Sequence, residues 1–92
     1  MKLEHLIKDI DNMDNELIIF QKDKLDLDGE IFLHNEDNIK NGVMQIGDTV
    51  YYYLLEVFIV KEFLEGWLEN LAPRPTDREI AKRVFEYAIN DA

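Results

Sequence analysis

Near residue 56 the spacing of apolar residues changes from a period of two to one of 3.6, with no linker between the two regimes. Residues 49–55 read Thr-Val-Tyr-Tyr-Tyr-Leu-Leu, a run of β-formers, whereas Val60, Phe63, Leu64, Trp67, Leu68 and Leu71 share one helical face and Lys61, Glu62, Glu65 and Glu69 another. This predicts a strand that gives way to a helix over about residues 58–71. Ala72-Pro73-Arg74-Pro75 ends that helix, because each proline disfavours helix in the residue before it. Thr76-Asp77-Arg78-Glu79 then matches a capping box and starts a last helix, with Ile80, Ala81, Val84, Tyr87 and Ala88 as its buried stripe and Phe85 and Ile89 widening it.

Earlier in the chain Leu3, Leu6, Ile7 and Ile10 have the spacing of a first short helix ending near Asn12. Strands are expected at residues 16–21 and 30–34, joined by a polar segment and paired with each other. Residues 35–42, rich in Asn and acid, read as a surface loop. Val43-Met44-Gln45-Ile46 and residues 49–55 flank Gly47-Asp48, which suits a type II′ hairpin turn. The expected fold is α+β and a single domain over residues 1–92: a small antiparallel sheet of three or four strands, one N-terminal helix and two C-terminal helices packed on a face.

The chain has 92 residues, 20 acidic against 10 basic, for a formal charge of −10. Residues 1–48 hold 12 acids and 5 bases, so the N-terminal part sets the field. Such a field draws basic partners inward and repels nucleic acid and anionic membranes. With 47% hydrophobic residues, the chain can bury a modest core, so its acidity does not signal disorder. Cysteine is absent, which excludes disulfides and thiol chemistry and fits a cytoplasmic location. The charged opening Met1-Lys2-Leu3-Glu4-His5 is not expected to act as a secretory signal, and the apolar run ending in residues 57–60 is far short of a membrane span.

Few residues offer chemistry. Asp26-Leu27-Asp28-Gly29 has the alternating acids of a calcium loop, but an EF-hand register would place Lys24 and Asn35 at the two obligatory carboxylate positions. A solvated turn is the simpler reading. His5 and His34 lack metal-ligand spacing, and His34 beside Asn35, Glu36 and Asp37 reads as a surface residue more readily than as a general base. There is no serine, Thr49 and Thr76 have turn and cap roles, and the four glycines form no phosphate-binding pattern. Glu62, Glu65 and Glu69, and the group Asp9, Asp11, Asp14 and Glu16, read as solvated faces or as docking surface for basic residues. No catalytic residue, cofactor or metal is expected. Tyr51-Tyr52-Tyr53 has two open readings, core or interface. Alternation puts Tyr51 and Tyr53 on one face of the sheet and Tyr52 on the other.

The segments Tyr52-Tyr53-Leu54-Leu55-Glu56-Val57, Val60-Lys61-Glu62-Phe63-Leu64-Glu65 and Arg83-Val84-Phe85-Glu86-Tyr87-Ala88-Ile89-Asn90-Asp91-Ala92 resemble small acidic bacterial proteins, some of which serve as immunity proteins in contact-dependent growth inhibition. The resemblance implies tight binding to the toxin domain of a large secreted effector, often a nuclease, and no catalytic residues. The physical reading agrees, since a nuclease is basic around its substrate and an acidic protein is drawn to that surface. The expected function is a monomer that neutralises a basic toxin in a 1:1 complex, with Tyr51 and Tyr53 as anchors and Asp26, Asp28, Glu36 and Asp37 supplying charge. The alternative is an acidic nucleic-acid mimic that inhibits a restriction or CRISPR enzyme.

Overall fold

Six residues are too few for a helix to persist alone in water. The first helix, α1 (Leu3–Lys8), is held because Leu3, Leu6 and Ile7 are buried, and a 3-10 turn over Ile10–Asn12 continues it and buries Ile10. Its first turn is closed by His5, whose Nδ1 accepts from the Lys2 N–H at 3.2 Å. The computed structural model describes residues 1–35, 42–69 and 73–90. After α1 come β1 (Ile18–Lys22), β2 (Ile31–His34), β3 (Val43–Ile46), β4 (Thr49–Glu56), α2 (Val57–Leu68) and α3 (Asp77–Asn90). The strands form one antiparallel sheet in the order β2-β1-β4-β3. The fold is the α+β architecture expected from the period change.

Local signals act where the sequence places them. The Glu79 N–H donates to Thr76 Oγ1 at 3.2 Å and the Thr76 N–H to Glu79 Oε1 at 3.3 Å, the two legs of the capping box that starts α3. At the β3–β4 turn Gly47 has φ 60°, and among the described non-glycine residues only Asp23 has positive φ, so Asp48 follows the type II′ pattern. Ile80, Ala81 and Val84 are buried, as their spacing requires.

Other expectations are corrected. Ile89 does not widen the buried stripe but is 50% exposed, because it lies nine residues after Ile80 and so about half a turn round the helix. Trp67 is half-buried rather than core. Its ring lies tilted against Phe63 at 5.8 Å, Phe63 stacks on Tyr87 at 4.8 Å, and the three rings join α2 to α3. Lys61 does not join the solvated face of α2, since its ammonium donates to the Met13 carbonyl at 2.7 Å and ties α2 to the chain after α1. Leu71 lies outside the described residues.

Helices cover one face of the sheet. Ile19, Ile31, Leu54 and Leu55 join Leu3, Leu6, Ile7, Val57, Val60, Leu64, Ile80, Ala81 and Val84 in one core. Leu54 and Leu55 are consecutive yet both belong to the core under the helices, which regular alternation does not give. The register explains it: Ile19 pairs with Leu55 but Phe20 pairs with Tyr53, so Leu54 is the extra residue of a β-bulge.

Candidate partner-binding surface

Residues directly opposed in an antiparallel pair share a face, so the register assigns the side of the sheet turned away from the core. Phe20 pairs with Phe32 on one side and with Tyr53 on the other. Lys22 and Met44 both pair with Tyr51, Ile18 pairs with His34 and Glu56, and Ile46 pairs with Thr49. None of these residues belongs to the core cluster or packs against it. The apolar ones among them form a second set on the outer face, over which no described helix lies.

The centre of this set is aromatic. Phe20 and Tyr53 meet edge to face with centroids 6.4 Å apart, and Phe32 and Tyr51 do so at 5.3 Å. Phe20 is fully buried although no described helix covers it, while Phe32, Tyr51 and Tyr53 on the neighbouring strands are partly buried. At one end of the face Ile46 is 50% exposed, and beyond the other end Phe58 is 39% exposed. Burial holds the Tyr53 hydroxyl above its ordinary value, helped by the negative charge of Glu56 and by a hydrogen bond to that carboxylate.

Carboxylates flank the aromatic centre at both ends. A groove of about 600 Å³ beside Ile18 and Phe58 is also lined by Glu16 and Glu56. At the opposite end a smaller recess joins Phe32 to Asp23, Asp26 and Glu30, with Lys22 and Lys24 on its rim.

The six residues expected to bind a partner are thus not one patch. Tyr51 and Tyr53 lie side by side on the outer face and Tyr52 points to the other, as alternation requires. Asp26 reaches that face through the recess by Phe32 and lies 3.8 Å from Lys24. Asp28 turns the other way: Arg78 of α3 donates to its Oδ1 at 2.6 Å and also contacts Glu4 at 3.3 Å. That hydrogen bond, with the charge of the guanidinium, holds the Asp28 carboxyl below its usual range. Asp28 therefore ties the β1–β2 turn to the helices and does not face the aromatic centre. Glu36 and Asp37 lie outside the described residues.

The turn holding Asp26 and Asp28 is built around Gln21, a polar side chain only 1% exposed. Its amide donates to the carbonyls of Asp26 (2.6 Å) and Gly29 (3.3 Å) and accepts the Asp26 N–H at 2.8 Å. A Cβ at Gly29 would stand 3.1 Å from that amide and 3.2 Å from the Asp26 carbonyl oxygen, so a side chain there would push its neighbours back by a few tenths of an ångström. Asp26 Oδ1 accepts the Asp28 N–H at 3.0 Å. These acids shape a turn, and among the described residues no group of His, Asp and Glu is placed to hold a metal ion.

Sequence reasoning missed Phe20, Phe32, Glu16 and Glu56 as members of this surface. The alternation of Ile18, Phe20 and Lys22 against Ile19 and Gln21 was the available signal, and the unbroken apolar run over residues 17–20 obscures it. No described helix is long and apolar enough to cross a membrane. No protein-family model, curated protein or solved structure matches the chain.

Proposed function

We propose that the protein binds a basic protein partner and neutralises it one for one, as an immunity or antitoxin protein does with a cognate toxin, using the outer face of the sheet as its docking surface. The supporting observation is that face itself: Phe20, Phe32, Tyr51 and Tyr53 form an aromatic centre without a helix above it, flanked at both ends by carboxylates. Aromatic anchors within a charged rim are the anatomy of a protein interface. The formal charge of −10 supplies steering toward a basic surface. A nuclease domain is such a surface, because it must attract a polyanion. The encounter would take place in the cytoplasm, where an imported nuclease meets its substrate.

The test is co-expression of the chain with the C-terminal domain of the large protein encoded directly upstream. Rescue of growth with a one-to-one complex is expected, and Tyr51→Ala combined with Tyr53→Ala should abolish both while the protein stays folded. Toxicity without rescue overturns the reading. Inhibition of DNA-binding enzymes in competition with DNA, irrespective of toxin, would replace it with nucleic-acid mimicry.

A further inference from the structure

We infer that the free edge of β3 pairs with β3 of a second copy of the chain, joining two sheets about a two-fold axis. The two edges of the sheet differ. On β2 the N-terminus lies along the start of the strand: Lys2 bridges to Glu30, and the Ile31 N–H donates to the Met1 carbonyl at 2.7 Å. On β3 no strand among the described residues pairs with the outer side.

Which backbone groups that edge presents follows from the ladder. The Tyr53 N–H donates to the Gly42 carbonyl at 2.9 Å, and the Val50 carbonyl points the other way, accepting the Asp23 N–H at 3.0 Å. Bonded pairs alternate in an antiparallel ladder, so Met44 and Ile46 bond to β4 while the N–H and C=O groups of Val43 and Gln45 face outward. Two such strands are self-complementary. Val43 of each copy exchanges both bonds with Gln45 of the other, and the axis passes between the two Met44 residues. Ile46, half-exposed in the single chain, then falls opposite Gly42 of the second copy, which has no side chain to displace.

Charge selects a second copy over a basic strand. Residues 42–55 carry one charge, Asp48, in a chain of −10, so β3 offers a basic segment no complement. Pairing β3 with itself sets neutral against neutral and leaves the acidic β1–β2 turn at the opposite edge of each sheet. Exposed edges are usually blunted by lysine, proline, a bulge or an inward charge. Val43-Met44-Gln45-Ile46 has none of these. The proposed dimer differs from the monomer expected from sequence. It leaves the outer face open, so it stands or falls separately from toxin neutralisation.

Sedimentation equilibrium of the full chain tests it, over the range of about 10 µM to 1 mM where short strand pairing is populated. The mass should rise from 10.9 kDa to twice that value, and at lower concentration in high salt, which screens the repulsion between two acidic bodies. Gln45→Ala keeps the outward N–H and should dimerise as the wild type does. Gln45→Pro removes it and should weaken the dimer on the order of tenfold or more. A single-chain mass at every concentration, or dimerisation by Gln45→Pro equal to wild type, overturns the inference. Amide exchange on the wild type is a second readout that needs no variant. Val43 and Gln45 should be protected more at high concentration than at low, and exchange independent of concentration overturns the inference as well.

Discussion

The two faces of the sheet use the same four strands but different chemistry. Under the helices the contributions are aliphatic, Ile19, Ile31, Leu54 and Leu55, packed from the other side by residues of all three helices. On the outer face they are chiefly aromatic, and two of the four rings carry a hydroxyl. An aliphatic face is stable only when something permanent covers it. A tyrosine face tolerates water through its hydroxyls and still offers large, rigid contact area, so it can be stable alone and adhesive when a partner arrives. The comparison teaches that burial alone does not separate core from binding surface. Phe20 and Leu55 are equally buried, but Phe20 lies outside the core cluster and meets Tyr53 of its own sheet edge to face.

Truncation on the two faces is the strongest way to break this contrast. Leu55→Ala should cost about 3 kcal/mol or more in urea unfolding, the usual loss for a buried leucine. Tyr51→Ala should cost less than Leu55→Ala, since its ring keeps some contact with water, yet weaken partner binding by about 2 kcal/mol, roughly thirtyfold in Kd. Equal stability losses for the two variants would make the outer face a second core and remove the basis of the functional proposal.

Next in size is Gln21→Ala, which should destabilise by about 2 kcal/mol by leaving the Asp26 N–H and two carbonyls without their partner. Amide exchange at Asp26 should speed up while that of β4 changes little. This sharpens the comparison, because it shows that at the β1–β2 end the inner face is closed by a hydrogen-bonded turn.

A smaller effect concerns the wetness of the outer face. Glu56→Gln should lower the raised Tyr53 hydroxyl toward 10.0, read by ultraviolet titration of the phenolate. The sign follows from the fold favouring the neutral phenol. The associated stability is complete below the ordinary value of 10.0 and is lost as pH rises through the higher folded value. An unchanged titration would mean that Glu56 does not reach the ring in solution.

The smallest effect belongs to Asp28→Asn, which breaks an exposed contact with Arg78. Because the folded carboxyl titrates below its ordinary 3.8, its contribution is present above that pH and lost as pH falls through the folded value. The variant should therefore differ from wild type slightly at neutral pH, less in high salt, and not at all in strong acid.

Much of the fold was legible because its signals are local. The helical stripes of α1, α2 and α3, the capping box at Thr76 and the glycine turn at Gly47 each operate within a few residues. The outer face was only half legible. Alternation separates Tyr51 and Tyr53 from Tyr52, but it does not say which strand stands opposite them, and Phe20 and Phe32 enter only through the register. The link from Arg78 to Asp28 joins residues 50 apart, with no local signature. The anchoring of Lys61 to Met13 likewise joins distant residues, whereas the exposure of Ile89 follows from its position half a turn from Ile80 and was legible in the spacing.

The extra residue at Leu54 has a consequence for how such a chain can vary over descent. β4 is read in two phases, one before the bulge and one after, and the bulge lets both the tyrosines and Leu55 keep their proper sides. Substitution at that point changes a volume. Loss of that residue would leave a regular ladder in which Tyr53 still stands opposite Phe20 and Leu55 opposite Ile19, so both faces keep their residues. Lineages can therefore keep this surface with or without a residue between Tyr53 and Leu55, whereas loss of Tyr52 would put Tyr51 and Tyr53 on opposite faces.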